Sequence, residues 1–116
     1  FFGDDQKLGT WCYYYQKADL ARQTGDWQAA ASLGDEALEK GYSAILPAEW
    51  LPFIEAYAVT GSYQAAVDLT VRTVEGDAEL APGLCNLWQR VETEHVIPAE
   101  YAGIINELRA ALSCSP

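Results

Sequence analysis

Apolar residues recur along this chain at the spacing of one face of an α-helix. One stripe starts at Trp27 and continues at positions i+3, i+4, i+7 and i+11, and the same spacing starts again at Tyr63 and at Tyr101. The three stripes comprise Trp27, Ala30, Ala31, Gly34 and Leu38, then Tyr63, Ala66, Val67, Thr70 and Val74, and finally Tyr101, Ile104, Ile105, Leu108 and Leu112. Each stripe predicts an amphipathic helix that packs one face against a core.

A short segment that occurs twice predicts the turn before two of these helices. The two copies, 24–30 and 60–66, differ only at their third and fourth positions. In each copy the second residue is a glycine that can adopt the positive φ that ends a helix. The next residue, Asp26 or Ser62, can cap the following helix. The repeat therefore predicts a helix–turn–helix corner that is used twice.

Proline positions mark where several helices start. Pro47 and Pro98 each precede an Ala-Glu pair, which places proline at the first helical position and an acid near the positive end of the helix dipole. Pro82 is expected to open another helix in the same way. Pro52 removes a backbone donor within the third helix, so this helix is expected to be kinked there or to begin late. The predicted helices span about 8–24, 27–40, 47–60, 62–75, 82–94 and 98–113.

These helices predict an all-α fold with a single domain over residues 1–116. Three antiparallel helical hairpins are expected, at about 10–45, 46–81 and 82–114. Aromatic residues recur at one position in the first helix of each hairpin, where a large ring can fill the seam between helices. The expected core residues are Tyr14, Trp27, Trp50, Tyr63, Trp88, Ile104 and Leu108.

The repeat resembles the tetratricopeptide repeat (TPR), which has a period of about 34 residues and small residues where helices cross. The residues that match the family pattern are Ala18, Gly25, Ala30 and Ala37 in the first repeat and Tyr57, Gly61, Tyr63 and Ala66 in the second. Lys17, Tyr42 and Thr73 depart from the pattern, and the third repeat matches loosely, with Ala99 and Ile104 at the Gly and Ala positions. The resemblance implies a right-handed stack of the three hairpins, with partners held on its concave surface.

A second resemblance concerns the segment 11–23 together with the following Gly25, Asp26 and Trp27. This stretch is similar to the soluble C-terminal region of certain large bacterial membrane proteins, which have many spans and resemble membrane-embedded sugar transferases. The resemblance implies an appended domain, with any sugar chemistry in another part of the protein. The absence of methionine also indicates an excerpt of a longer protein. An extracytoplasmic location is then expected, and a cytoplasmic one otherwise.

The charge of the chain excludes some classes of partner. Seventeen Asp and Glu residues outnumber seven Lys and Arg, which gives a formal net charge of −10. A nucleic-acid binder needs a basic face to displace counterions from phosphate, and an anionic membrane surface would repel this chain. No apolar run reaches the ~18 residues of a membrane span, so we expect no direct membrane insertion by this segment.

The sequence predicts no catalytic site, no metal site and no cofactor. His95 is the only histidine, and no set of convergent ligands surrounds it in the sequence. Cys12, Cys85 and Cys114 lack metal-type spacing, and their favoured interpretation is that of buried free thiols. Should two of them pair, Cys85 and Cys114 are the candidates, because Cys12 lies two repeats away. We therefore expect a binding module rather than an enzyme.

The candidate binding site lies on the first helices of the three hairpins, which line the inner surface of a helical-hairpin stack. In the repeat register its residues are Tyr15, Asp19, Arg22, Leu51, Glu55 and Gln89. Tyr15, Asp19 and Arg22 share one helix face, and aromatic and Arg residues are enriched at binding hot spots. An ordinary solvated face with an Asp–Arg pair is the alternative interpretation. The predicted function is protein interaction or scaffolding, with a protein or peptide partner or a second copy. The alternative is a glycan- or small-ligand-recognising accessory domain of a membrane sugar transferase.

Overall fold

The computed structural model describes the backbone of residues 2–115 and the side chains of residues 10–115. Within this range the chain forms six α-helices and no strand, so the predicted all-α fold is confirmed. The helices are α1 (Phe2–Gln23), α2 (Trp27–Glu39), α3 (Leu51–Val59), α4 (Tyr63–Gly76), α5 (Ala81–Glu94) and α6 (Ala99–Ala111). Short 3-10 segments, Pro47–Trp50 and Ala78–Leu80, lead directly into α3 and α5.

The helix ends follow from local chemistry that the sequence carries. Gly25 and Gly61 have φ of +77° and +95°, as predicted, and each ends its helix with the paired backbone hydrogen bonds of a Schellman motif. The Asp26 side chain accepts from the Ala29 N–H at 3.2 Å and caps α2. The predicted side-chain cap by Ser62 is wrong, because only its backbone carbonyl accepts a bond, from the Ala66 N–H.

Three prolines occupy helix starts, where a missing N–H costs nothing. Pro47 opens the first 3-10 segment, and Pro52 and Pro82 are the second residues of α3 and α5. The third helix therefore begins late rather than being kinked, because the first turn of a helix has no backbone acceptor for its N–H groups. Pro98 lies one residue before α6, outside the helix that it was predicted to open.

The first helix starts at residue 2, whereas the sequence predicts a start near residue 8. Apolar periodicity marks only the part of a helix that packs against a core, and Trp11 is the first buried residue described. The backbone hydrogen bonds of a helix can continue beyond that part.

Helices α1 to α4 pack against their neighbours in the sequence, whereas α5 packs mainly on α3 and α6 on α4. Close pairs are α1 with α2 and α3, α2 with α3, α3 with α4 and α5, and α4 with α6. Tyr14, Trp50, Tyr63, Trp88 and Leu108 are buried as predicted. Trp27 and Ile104 are only partly buried, because Trp27 is the first residue of α2 and Ile105 takes the buried position beside Ile104.

Helices α2 and α3 approach closely at Gly34. A Cβ added there would lie 2.7 Å from the Tyr57 hydroxyl and 2.9 Å from Phe53 Cδ1, and both of these rings are buried. The Tyr57 hydroxyl also donates to Asp35 Oδ1 at 2.8 Å, so the ring cannot shift without losing that bond. Gly34 is therefore required by packing.

Alanine is expected to have opposite effects at two helical glycines. Gly103→Ala in α6 meets open space and should raise the free energy of unfolding by about 0.5–1 kcal/mol through better helix propensity. Gly34→Ala should lower it by about 1–3 kcal/mol through overpacking. Urea titration of both variants, followed by circular dichroism, measures the two changes. Equal stabilisation by both substitutions would contradict the close α2–α3 packing.

Among the described residues, none of the helices combines the length and apolar character needed to cross a membrane.

Candidate functional site

One surface groove is lined by three helices that are distant in sequence. It has a volume of about 370 Å³ and lies between α1, α3 and α5. Its lining residues are Tyr15, Asp19 and Arg22 of α1, then Ala48 of the 3-10 segment with Leu51, Pro52 and Glu55 of α3, and Gly83, Leu87 and Arg90 of α5. On each element these residues follow i, i+3 or i+4, and i+7, so each helix contributes one stripe.

The groove brings together five of the six residues selected from the sequence: Tyr15, Asp19, Arg22, Leu51 and Glu55. The sixth, Gln89, does not line it. Gln89 borders an adjacent hollow with Asn86 and Thr93, and Arg90 takes the expected place in the groove. Arg90 follows Glu55 by 35 residues, whereas the predicted register assumes an offset of 38 between these two helices.

Two ion pairs lie in the groove. The guanidinium of Arg22 donates to Asp19 Oδ1 from Nε at 3.0 Å and from Nη2 at 2.8 Å. Gln23 donates to the other carboxylate oxygen of Asp19. Arg90 donates from Nη2 to Glu55 Oε1 at 3.3 Å and so links α5 to α3. The predicted Asp19–Arg22 pair is therefore present, and a second pair faces the same groove.

Small residues and a glycine keep part of the groove open. Gly83 lies in the first turn of α5, and a Cβ added there would meet nothing within 4 Å. Ala48 lies beside the start of α3 and is exposed. Leu51 and Tyr15 pack partly against the core and present the rest of their surface to the groove. An apolar side chain from a partner would bury area against these residues, which is the main favourable term in association.

A disulfide joins Cys85 of α5 to Cys114, just after α6, with the two Cα atoms 5.5 Å apart. The favoured interpretation of these two cysteines as free thiols is therefore wrong, and Cys12 is the free cysteine. The pairing depends on the end of α6, where Ser113 has a φ of +61°. The N–H of Cys114 bonds back to the Arg109 carbonyl, which turns the chain toward α5. Arg109 also pairs with Glu92, which ties α6 to α5 a second time.

Two acids on α2 accept hydrogen bonds from the hydroxyls of buried tyrosines. Asp35 accepts from Tyr57, and burial together with this hydrogen bond raises the pKa of Tyr57. Glu36 accepts from the Tyr14 hydroxyl at 2.8 Å, and this bond, assisted by Lys40, lowers the pKa of Glu36. Lys40 donates to both groups, and these bonds raise the pKa of Lys40.

The described residues contain no group of three or more His, Cys, Asp or Glu side chains that could hold a metal ion. His95 is half-buried at the end of α5, where a cation is favoured by the helix dipole.

No protein-family model, curated protein or solved structure matches this chain. Function is therefore inferred from the groove and from the sequence repeat.

Proposed function

We propose that this domain is a protein-interaction module with a TPR-like arrangement of three hairpins, which holds an extended segment of a protein partner in the groove between α1, α3 and α5. The observation that carries the proposal is the composition of this groove. One concave surface draws on three separate helices and combines apolar side chains with an aromatic residue and two arginines. Such surfaces are typical of peptide-binding sites.

The helix neighbours support the TPR-like arrangement. The first helices of successive hairpins contact each other, α1 with α3 and α3 with α5. Among the second helices, α4 contacts α6, and α2 packs against α3 of the next hairpin. In repeat proteins this sequence of contacts leaves the first helices on one continuous surface.

The groove chemistry favours a protein partner over a glycan. Sugar-binding sites use several exposed aromatic faces, because the apolar face of a sugar ring stacks on them. Tyr15 is the one aromatic residue among those that line the groove. Attachment of this domain to a membrane sugar transferase stays a prediction from the sequence resemblance.

Filling the groove should abolish partner binding without unfolding the domain. Gly83→Phe places a large ring in the groove without meeting other protein atoms near the backbone. Gly103→Phe is the matched control, because Gly103 is also an exposed helical glycine with open space around it. We expect proteins that bind the parent domain to bind the Gly103→Phe domain equally and the Gly83→Phe domain at least about tenfold more weakly. Affinity capture from lysate followed by quantitative mass spectrometry measures these ratios.

Single alanine substitutions in the groove test which side chains contribute to binding. Arg22→Ala should weaken the same partners by about fivefold or more while the melting temperature stays nearly constant, because an exposed ion pair adds little stability. Glu39→Ala on the exposed face of α2 is the control. Tyr15 also packs against the core, so the effect of Tyr15→Ala on binding must be compared with its effect on the melting temperature. Partners that bind the Gly83→Phe and Arg22→Ala domains as well as they bind the parent would rule out the groove as the working surface.

A further inference from the structure

The residues that line the groove are sorted along its length by chemistry. Trp11 of α1 contacts Trp50 and Phe53 at the start of α3, with ring centroids 5.2 and 5.5 Å apart. Farther along, Glu55 of α3 pairs with Arg90 of α5. In each element the groove stripe begins with an aromatic or small residue, Tyr15, Ala48 or Gly83, and ends with a charged one, Arg22, Glu55 or Arg90.

The end of the groove near the helix starts is apolar. Ala48 and Gly83 are the first groove residues of their stripes, and their small size leaves space above Leu51 and Leu87. Tyr15 lines the groove on the side of α1. Because the walls are aliphatic or aromatic, the end of the groove fits an apolar side chain better than a polar one.

The opposite end of the groove is ionic. Asp19, Arg22, Glu55 and Arg90 lie there as two ion pairs, so their charges cancel locally. The members of the second pair differ in exposure: the Glu55 side chain is 16% exposed and that of Arg90 is 52% exposed. Arg90 can turn into solvent at small cost, whereas Glu55 is held by packing. A cationic group of a partner could therefore replace the Arg90 guanidinium beside the Glu55 carboxylate.

The net charge of the whole chain also favours a cationic partner. With the groove itself neutral, the formal net charge of −10 determines the longer-range field. That field raises the local concentration of cationic segments and disfavours acidic ones.

We propose that the groove takes an extended peptide segment that carries an apolar side chain and, two or three residues away, a Lys or Arg. The spacing follows from the α3 side of the groove: Leu51 and Ala48 lie four and seven residues before Glu55, which is roughly 6–10 Å at the helical rise. An extended peptide advances about 3.3 Å per residue, so two or three residues bridge that distance. This inference rests on the proposed function and adds the partner's chemistry.

Selection from a random peptide library tests both the use of the groove and the chemistry of the bound peptide. The library is panned on the parent domain, and each selected peptide is then measured against the parent, Gly83→Phe and Gly103→Phe domains. We expect binders that lose affinity only with Gly83→Phe and that share an apolar residue two or three positions from a Lys or Arg. Changing that basic residue to Glu should weaken binding to the parent by about tenfold. The same change should weaken binding to a Glu55→Gln domain by less than about threefold, because the two changes act on one interaction.

The possible failures are distinguishable. Binders that ignore Gly83→Phe, or no binders at all, would refute the groove and with it the proposed function. Groove-dependent binders that carry an acidic residue at this spacing, or no charged residue, would overturn the basic-peptide inference and leave the proposed function standing. An equal effect of the peptide's Lys-to-Glu change on the parent and Glu55→Gln domains would also overturn it, because the contact with Glu55 would then be absent.

Discussion

Replacing Trp88 by alanine is expected to lower the free energy of unfolding by about 3–5 kcal/mol. Trp88 is completely buried in α5, and its indole N–H donates to Thr70 Oγ1 of α4 at 3.0 Å. The substitution would leave a large cavity. It would also remove the hydrogen bond that the buried Thr70 hydroxyl accepts from the indole, while the bond that this hydroxyl donates to the Ala66 carbonyl would stay. Urea unfolding followed by the helical circular dichroism signal measures the change.

Two further substitutions separate the volume of the ring from its hydrogen bond. Trp88→Phe keeps most of the volume and should cost less than Trp88→Ala. Thr70→Val should cost about 1–3 kcal/mol, because it leaves the buried indole N–H without an acceptor. In the Trp88→Phe, Thr70→Val double variant both partners are gone, so the costs should not add. A Trp88→Ala domain within about 1 kcal/mol of the parent would contradict the packing of α5 described above.

Loss of the Cys85–Cys114 disulfide should lower the free energy of unfolding by about 3.5 kcal/mol. The cross-link closes a loop with a sequence separation of 29 residues, and its removal increases the entropy of the unfolded chain. A Cys85→Ala, Cys114→Ala variant and the parent in reducing agent should show the same loss. Reducing agent should leave the variant unaffected, which controls for other effects of the reagent.

The presence of the disulfide can be tested by counting free thiols. Mass measurement after alkylation without reduction should find one modified cysteine, Cys12, and alkylation after reduction and denaturation should find all three. Three modified cysteines without reduction would show that the disulfide is absent. In that case we would expect the parent and the double variant to be equally stable.

The helices were predictable because their signals are local. Gly25 and Gly61 end helices through their own backbone conformation, and Pro52 fixes the late start of α3 through its missing N–H. The burial of Trp50 and Trp88 likewise followed from their repeat position. Each of these features depends on one residue and its immediate neighbours, and the sequence displays that directly.

The groove was predictable in part. Tyr15, Asp19 and Arg22 share a face of a single helix, so the helical period alone brings them together. Arg90 was missed in favour of Gln89 because the 38-residue offset between Tyr63 and Tyr101 was applied to the first helices, whereas Glu55 and Arg90 in the groove are 35 residues apart. The Glu55–Arg90 pair joins two helices, and their relative shift depends on packing that a single sequence does not display.

The disulfide and the tyrosine partners needed the tertiary structure. Cys114 reaches Cys85 only because Ser113 adopts a positive φ, a conformation in which glycine is much commoner than serine. Asp35 and Glu36 have the sequence pattern of exposed acids. Their role depends on the Tyr57 and Tyr14 hydroxyls, which reach them from α3 and α1.

The neighbour-to-neighbour packing of the helices has a consequence for how the chain folds. The close pairs of sequential helices, α1 with α2, α2 with α3 and α3 with α4, form by closing short stretches of chain. Closing a short stretch costs little entropy, and proteins rich in such contacts fold in microseconds to milliseconds. A folding nucleus can start at any of these three helix pairs. The order of folding events is then open to change by single substitutions, even where the final structure stays the same.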